Sequence, residues 1–564
     1  MKKNTQLREK VEFKTIKELI EKTCEKYKDD YVHVFKNSPR DKELTKIKYE
    51  QLLEDVRGLA TEFIARGYKD KHISLIGKLS YPWVCVYWAT LSIGSVLVPL
   101  DPEWTAEDLS DTITKADACA VCIGKDIIDK VAVISEKTGI NEIITLEGDE
   151  ENTIRALIES GKKRIEDGDN SYFETEPDPD KLSLLVFTSG TTGKGKGVML
   201  SQTAVLSDLA DVIPYMDFSK KTIALLPPHH TYGSSVAILG QTSIGCEIYI
   251  SAGIKYIQKE LKEQKPGHIV LVPLYLETFY RKINANIKEQ GKDKLVAKMI
   301  KTSNALRKVG IDVRRKLFKS ILEVFGGETT MLISGGAPIT QEIMNFFDAI
   351  GISVLNGYGI TECAPIIAVN HSKWTVPGSV GFPLNIDEIK INEPNEDGEG
   401  EICVKGPNVM LGYYKDEETT KEAFTEDGYF RTGDYGKFNE DGALFITGRL
   451  KNLIILSNGK NVYPEEIETE LASVPGVLDI IVYEGQSKRG VENNKIVAEI
   501  FPDKEYIEKN NIEDVQAYLQ EYVNNYNRTA VSYKKIGILR VRTEDFPKNT
   551  LRKIMRFKLD MTIE

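Results

Sequence analysis

The sequence is poor in the residues that build disulfide scaffolds, zinc sites and nucleic-acid interfaces. Its 564 residues include only seven cysteines and six histidines, and neither set has the spacing of a disulfide framework or a structural metal site. The pair Cys119 and Cys122 forms a CxxC, but it lies in an apolar run that is typical of a buried strand rather than a redox centre. The formal net charge of -11 predicts no nucleic-acid partner, although a local site can still bind anions.

Uninterrupted hydrophobic segments are also missing. The N-terminus is polar and lacks the apolar core of a secretory signal. Residues 79–100 contain no charged residue and are long enough to span a bilayer, but Pro82, Gly94 and Pro99 interrupt them. We interpret this stretch as a buried helix followed by a buried strand. These features predict a cytoplasmic protein.

The chain instead alternates short apolar runs with amphipathic stretches. Runs such as residues 73–77, 182–188 and 330–334 are typical of parallel sheets that helices cover on both faces. The stretch 49–66 has apolar residues at helical spacing and ends before Gly67. The pattern predicts the α/β fold class.

A change of pattern predicts more than one domain. From about residue 380, closely spaced glycines separate short segments, which is typical of antiparallel β structure. Because 564 residues exceed what one hydrophobic core usually supports, we predict an N-terminal domain at 1–450 with a β-rich subdomain at about 380–450. A C-terminal domain of ordinary small size follows at 451–564.

One loop has the composition of a phosphate cradle. Residues 188–197 contain only Gly, Ser, Thr and Lys, and they follow an apolar strand directly. Glycines let backbone N–H groups turn toward an anion, and hydroxyls and lysines add donors and charge. The loop nearly matches a Walker A motif, but Gly197 replaces the hydroxyl that binds Mg²⁺ in such proteins. Residues 198–200 also read as strand rather than helix, which disfavours a P-loop NTPase.

The loop is similar to the T-S-G-T-T-G-x-P-K-G motif of the adenylate-forming superfamily, which includes acyl-CoA synthetases, firefly luciferase and peptide-synthetase adenylation domains. Here Gly195 stands where proline is usual. Further signature segments follow in the family's order, so the chain is identified as a member. They are L-P-P-H-H at 226–230, S-G-G-A-P at 334–338, N-G-Y-G-I-T-E at 356–362, Y-F-R-T-G-D at 429–434, and P-K-N-T-L-R-K-I at 547–554, where Leu551 and Arg552 replace serine and glycine.

This resemblance implies a fold and a set of site residues. The fold is a large N-terminal domain of parallel and mixed sheets layered with helices, a small β-barrel-like subdomain, and a small mobile α+β C-terminal domain. The implied catalytic residues are Lys553, Thr361, Glu362, Lys196 and His230. The implied ATP- and AMP-binding residues are Thr188, Ser189, Gly190, Thr191, Thr192, Gly193, Lys196, Gly336, Ala337, Pro338, Asn356, Gly357, Tyr358, Gly359, Thr361, Asp434 and Arg449.

The resemblance also implies a reaction in two halves, with ATP, Mg²⁺ and coenzyme A as cofactors. A substrate carboxylate attacks the α-phosphate of ATP, and pyrophosphate departs; Glu362 is the implied Mg²⁺ ligand and Lys553 bridges carboxylate and phosphate. The C-terminal domain then rotates about Lys451 and admits a thiol, with Ser457 and Gly459 on the acceptor side. Phosphoryl chemistry of this kind depends on positioning and charge neutralisation.

The acid and the acceptor are less closely defined. Residues 268–326 resemble the extra helices of bacterial long-chain fatty acyl-CoA synthetases, although Leu274 replaces an arginine of that pattern. The implied substrate is a medium- or long-chain fatty acid. An acyl carrier protein as acceptor is an alternative to coenzyme A, and an aryl-CoA ligase is disfavoured by the insertion.

The same insertion is strongly basic. Residues 281–320 carry thirteen Lys and Arg against three Asp and Glu, a local net charge of +10 in an acidic chain. This contrast suits an anionic membrane surface, which would place the protein peripherally at the inner membrane face, or an acidic carrier protein. A solvated helical face explains the charge equally well.

Overall fold

The computed structural model describes residues 5–148, 150–188, 195–455, 461–488, 490, 494–548 and 554–563. Numbered in chain order, the strands are β1 Tyr31–Phe35, β2 Thr45–Lys48, β3 His72–Ile76, β4 Val96–Leu100, β5 Ala118–Ile123, β6 Ile143–Thr145, β7 Leu182–Thr188, β8 Lys196–Ser201, β9 Lys221–Ala224, β10 Glu247–Ile250, β11 His268–Leu271, β12 Met331–Ser334, β13 Ser353–Gly359, β14 Ile366–Val369, β15 Phe382–Pro383, β16 Glu388–Asn392, β17 Gly400–Lys405, β18 Gly412–Tyr413, β19 Phe430–Phe438, β20 Leu444–Arg449, β21 Ile454–Ile455, β22 Asn461–Val462, β23 Val477–Ser487, β24 Lys495–Pro502, β25 Ile538–Val541 and β26 Thr562–Ile563.

Helices connect most of these strands. The α-helices are α1 Ile16–Lys26, α2 Tyr49–Ala65, α3 Tyr81–Ser92, α4 Ala106–Lys115, α5 Val131–Thr138, α6 Ile154–Glu166, α7 Ser171–Glu174, α8 Gln202–Val212, α9 Gly240–Ser243, α10 Ile257–Gln264, α11 Pro273–Glu289, α12 Asp293–Lys308, α13 Arg314–Leu317, α14 Lys319–Leu322, α15 Gln341–Ile350, α16 Glu417–Glu422, α17 Pro464–Leu471, α18 Lys504–Lys509 and α19 Val515–Thr529. A π-helix spans Tyr232–Leu239, directly after the histidine pair at 229–230.

Three sheets of parallel or mixed strands form the first part of the molecule. A seven-stranded sheet has the order β18-β8-β7-β4-β3-β5-β6, in which β8 and β18 are antiparallel to their neighbours. A four-stranded sheet has the order β2-β1-β10-β9, and a five-stranded sheet has the order β11-β12-β13-β14-β15. In the last, β11, β12 and β13 are parallel, so their carboxyl ends lie at one edge. The predicted α/β class is confirmed.

The stretch 79–100 folds as predicted from its breaks. Ser80 caps α3 by accepting from the N–H of Trp83, and Pro82 occupies the first turn, where its missing N–H costs nothing. The chain then turns at Gly94 into β4, all five residues of which are buried. Trp83, Tyr87 and Trp88 are fully buried in the largest core. In the part of the chain that the structure describes, no helix is long and apolar enough to span a membrane.

The CxxC also lies where its apolar surroundings predicted. Cys119 and Cys122 belong to β5, a strand of the seven-stranded sheet, and Cys122 is fully buried. Burial raises the pKa of the Cys122 thiol well above its usual range, so the thiol lacks the thiolate character of a redox centre.

The later part of the chain is richer in antiparallel structure. Strands β16, β17, β19 and β20 form an antiparallel sheet, as the glycine spacing after residue 380 predicted. Beyond it, β25-β24-β23-β26 form a mixed sheet with an apolar core of its own that includes Ile467, Val482 and Val523. The division into domains at 450 and 451 stays a prediction.

Candidate active site

The predicted phosphate loop connects two antiparallel strands. Strand β7 ends at Thr188, which pairs with Lys196 at the start of β8. A Walker A loop opens a helix, so the strand at 196–201 removes that alternative. A side chain at Gly195 would place its Cβ 2.8 Å from the carbonyl oxygen of Thr188, so in this structure the strand ends approach closely at that glycine. Ser189, Gly190, Thr191, Thr192 and Gly193 lie outside the described residues.

Lys196 lies in one cluster with the predicted metal ligand. Its ammonium is 4.9 Å from the centre of the Tyr413 ring, within the range of a cation–π contact. The Tyr413 hydroxyl donates to Oε1 of Glu362 at 3.0 Å. Burial and the adjacent Glu362 carboxylate raise the pKa of Tyr413 well above its usual range, so the hydroxyl stays a donor. Tyr413 thus connects the strand that follows the phosphate loop to Glu362. Sequence reasoning missed this contact because the dipeptide Gly412-Tyr413 belongs to no recognised motif.

Thr361 and Glu362 follow the end of β13 in a short turn at Thr361–Cys363. The carbonyl of Glu362 accepts a hydrogen bond of 2.8 Å from the N–H of Met410, and its carboxylate is half-buried. Among the described residues, no group of three or more His, Cys, Asp or Glu could form a protein cage for a metal. Mg²⁺ commonly binds through one or two carboxylates, waters and substrate phosphates. A single Glu362 beside a phosphate loop therefore fits a Mg²⁺ shared with a nucleotide.

The two residues predicted on the ribose side are held together across a sheet. Asp434 and Arg449 are register partners in β19 and β20, and the Arg449 Nε lies 2.9 Å from the Asp434 Oδ1. The Tyr358 hydroxyl donates to the other carboxylate oxygen of Asp434 at 2.8 Å. The Asp434 carboxylate raises the pKa of Arg449 more than any other group does. Both oxygens of this buried carboxylate are therefore positioned before any nucleotide binds.

The remaining predicted nucleotide residues gather at the carboxyl ends of β12 and β13. Ser334 pairs with Asn356 across these strands, so the turn with Gly336, Ala337 and Pro338 lies next to residues 356–359. This edge is where open α/β sheets bind ligands. The turn requires a left-handed backbone at Gly336, with φ +87°. The side-chain amide of Asn356 donates to the carbonyl of Ser379 at 3.4 Å, and the roles of Asn356, Gly357 and Tyr358 toward adenine stay predictions.

Close packing accounts for another glycine of this segment. A Cβ at Gly359 would lie 1.7 Å from the carbonyl oxygen of Pro365, so no side chain fits there. The turn that presents Thr361 and Glu362 therefore depends on a glycine at the end of β13.

His230 precedes a π-helix that packs against an apolar cluster. The rings of His229 and His230 are 4.4 Å apart, and burial lowers the pKa of His229 to about 4. In the π-helix that follows, the Tyr232 hydroxyl lies 3.1 Å from the carbonyl oxygen of Ile333, at the end of β12. The apolar cluster below includes Val236, Val272, Ile333, Leu355 and Leu384. The role of His230 toward the substrate carboxylate stays a prediction.

The predicted hinge and lysine lie at the edge of what the structure describes. Lys451 follows Arg449 in a short turn at Leu450–Asn452, and burial lowers its pKa, as does Arg449. Ser457, Gly459 and Lys553 lie outside the described residues. Lys548 and Ile554, which flank the segment 549–553, pair with each other in a bridge. The Lys548 ammonium is 2.7 Å from Asp479, which fixes one end of that segment.

Comparison with known proteins agrees with this geometry. Residues 20–414 match the model of the AMP-binding enzyme family. The long-chain-fatty-acid–CoA ligase 6 of Mus musculus is 32% identical over 457 residues, which are 75% of this chain and 64% of that protein. A chloroplastic long-chain-fatty-acid–[acyl-carrier-protein] ligase of Arabidopsis thaliana is 28% identical over 570 residues, 88% of this chain and 77% of that protein. ATP-bound MatB from Rhodopseudomonas palustris has a TM-score of 0.76 at 25% identity, with 96% of this chain and 97% of that chain covered.

The chain belongs to the AMP-binding enzyme family. Within the family it is an AMP-forming acid–thiol ligase that uses ATP, as predicted. Mg²⁺ and coenzyme A are part of the function proposed below. The large and small domains of the solved relatives also confirm the predicted architecture at the level of fold. The roles of individual site residues stay predictions.

Proposed function

We propose that this protein joins a medium- or long-chain fatty acid to coenzyme A through an acyl-adenylate. One observation carries the proposal. Lys196 and Glu362 both contact Tyr413, and Asp434 contacts Arg449 and Tyr358, so these groups lie together at the carboxyl edge of β11 to β13. The names of the mouse and Arabidopsis relatives support a fatty acid as the substrate.

In the first half-reaction, a carboxylate oxygen of the acid bonds to the α-phosphorus of ATP, and the bond to the β-phosphate oxygen breaks. Pyrophosphate leaves with the electron pair. Lys196 and the loop before it hold the departing phosphates, and Asp434 accepts from the ribose hydroxyls. Mg²⁺ on Glu362, when bound, neutralises phosphate charge. Lys553 bridges the acid and the α-phosphate, where charge concentrates in the transition state.

In the second half-reaction, the thiol sulfur of coenzyme A bonds to the acyl carbon. The bond from that carbon to the phosphate oxygen breaks, AMP leaves, and the thiol proton passes to solvent. The acceptor needs no strong activation, because the mixed anhydride already has a good leaving group. Lys451 and the segment 457–459 form the acceptor side, and Lys553 is displaced when the C-terminal domain rotates.

A panel of carboxylic acids from acetate to C18 tests this function, with AMP, ADP and pyrophosphate measured in each reaction. We expect AMP and pyrophosphate only when an acid is present, with the highest kcat/KM for medium or long chains. Free coenzyme A and a phosphopantetheinylated carrier protein are compared as acceptors, since the Arabidopsis relative is named for the latter. Production of ADP, or ATP cleavage that does not require an acid, would refute the proposal.

We also propose that the basic insertion contacts an anionic membrane surface, where fatty acids partition. The side chains of Leu295, Val309, Ile311 and Leu317 are exposed, Val309 to 71%. Lysines are their neighbours in sequence. In the described residues, the cations of 281–320 that form ion pairs are arginines, and Glu289 pairs with Lys509, so the lysines of this segment have no ion-pair partner. Exposed apolar residues among unpaired lysines suit anionic lipid headgroups better than an acidic protein, which would have to desolvate them.

Reversing charge at Lys294, Lys298 and Lys301 is expected to weaken this contact. Each lysine near an anionic surface is worth about 1 kcal/mol, and Glu adds repulsion to the loss of that attraction, so the triple change to Glu should lower partitioning onto anionic vesicles by at least about a hundredfold. Cosedimentation with vesicles measures it. The matched control reverses three exposed lysines elsewhere, Lys69, Lys125 and Lys137. Equal binding by both triple variants, or equal binding to zwitterionic vesicles, would exclude the contact.

A further inference from the structure

A carboxylic acid that the reaction does not use is fully buried behind the metal-ligand turn. Asp208 lies on α8 and has no exposed surface. Among the described residues, no Lys, Arg or His forms an ion pair with it, and the charged groups that face it are the acids Asp387 and Asp211. Burial raises the pKa of Asp208 well above its ordinary value. A buried acid without a cation is costly, so its retention calls for a specific role.

Both oxygens of Asp208 accept hydrogen bonds from other parts of the chain. Oδ2 accepts from the N–H of Ile366 at 2.7 Å, and Oδ1 accepts from Nδ2 of Asn408 at 3.0 Å. The same Asn408 amide nitrogen lies 3.0 Å from the carbonyl oxygen of Ile366 and 3.2 Å from Oδ2 of Asp387. Asp208 thereby joins α8 to the start of β14 and to the segment before β18, which lie about 160 and 200 residues from it in sequence.

The two segments that Asp208 joins are those that hold Glu362. Ile366 lies four residues after Glu362, at the end of the turn that presents it. Asn408 lies two residues before Met410, whose N–H donates to the Glu362 carbonyl at 2.8 Å, and five before Tyr413, whose hydroxyl donates to the Glu362 carboxylate. Asp208 therefore sets the distance between the backbone of Glu362 and the tyrosine that orients its side chain.

We propose that Asp208, with Asn408, is a positioning residue for Glu362 and through it for Mg²⁺ with the nucleotide. The inference rests on the proposed adenylation reaction, in which Glu362 faces the phosphates. The carboxyl group of Asp208 suits the site because both of its partners are donors, and each of its oxygens keeps a lone pair that can accept, whether the group is ionised or protonated. An amide at this position would turn a donor toward either Ile366 or Asn408, whichever way it is oriented. The segment with Glu362 would then shift relative to Tyr413.

The test is Asp208→Asn, with Asp211→Asn as its matched control. Asp211 lies one turn further along α8 and accepts from the backbone N–H and the side-chain amide of Asn385, which lies outside the Glu362 segments. Its change to Asn therefore measures the general cost of removing a buried acid from this helix. We expect Asp208→Asn to raise the Kd for ATP in the presence of Mg²⁺ about tenfold, as measured by calorimetry, and to leave the Kd in EDTA within about threefold. In pyrophosphate exchange, the Mg²⁺ concentration for half-maximal rate should rise as well, while the KM for the acid stays unchanged.

A second variant keeps the test decisive if Asp208→Asn does not fold. Asn408→Ala removes the donor on the other side of the bond, and we expect the same selective loss of the Mg²⁺-dependent part of ATP binding. Wild-type protein that lacks acid-dependent pyrophosphate exchange would refute the proposed function itself. If the wild-type protein is active, two results would overturn the positioning role alone. One is that Asp208→Asn weakens ATP binding equally in Mg²⁺ and in EDTA. The other is that it only lowers Tm, as Asp211→Asn does.

Discussion

Replacing Lys553 with alanine is expected to lower the rate of acyl-adenylate formation by at least about a hundredfold. In the proposed mechanism, Lys553 neutralises the negative charge that concentrates between the acid and the α-phosphate in the transition state. Acid-dependent pyrophosphate exchange measures this half-reaction. Thioester formation from acyl-adenylate supplied in advance should change by no more than about threefold, because Lys553 has no part in it.

Lys558→Ala is the matched control for this result. Lys558 is exposed, lies five residues further along the same basic tail, and should leave both half-reactions unchanged. If Lys553→Ala retained wild-type pyrophosphate exchange, the assignment of the lysine would be wrong. Equal loss in both half-reactions would instead indicate a defect in folding or in coenzyme A binding, which a melting curve separates.

Glu362→Gln is the second change with a large expected effect, a fall in kcat for adenylation on the order of a hundredfold or more. The amide keeps the size of the side chain, and its oxygen can still accept from the Tyr413 hydroxyl, so the turn should stay folded. What is lost is the anionic ligand for Mg²⁺. Pyrophosphate exchange over a range of Mg²⁺ concentrations measures the change, and the half-maximal concentration should move upward.

The control for Glu362→Gln is Glu417→Gln on α16, an exposed glutamate close in sequence to Tyr413. It should change neither kcat nor the Mg²⁺ requirement. A Glu362→Gln enzyme with the normal Mg²⁺ requirement and a reduced kcat would show that another group holds the metal. Unchanged activity would remove Glu362 from the site.

Local sequence predicted the elements of this fold whose signals are short in range. The stretch 79–100 folds as a buried helix and a buried strand, since Pro82 suits a first helical turn and Gly94 the turn that follows. The run 182–188 is a strand, and a second strand follows the phosphate loop, as the residues at 198–200 indicated. The resemblance of ordered motifs also indicated the family, which the comparison confirms.

The contacts between those motifs could not be predicted in the same way. Tyr413 contacts both Lys196 and Glu362, although it lies more than two hundred residues after Lys196 in sequence. No motif around Tyr413 predicts either contact. Asn356 donates to the carbonyl of Ser379, a partner that depends on how two loops pack.

By itself, the sequence determined the local elements, because glycine-rich loops, caps and apolar periodicity act over a few residues along the chain. The class of enzyme followed from the resemblance of its ordered motifs, which the family match confirms. Only the tertiary structure decided that Asp434 faces both Arg449 and Tyr358, and that a buried acid at 208 braces the turn at 362. Hydrogen bonds and ion pairs need their atoms within about 3 Å. Such distances between remote segments depend on sheet order and register, which no local pattern records.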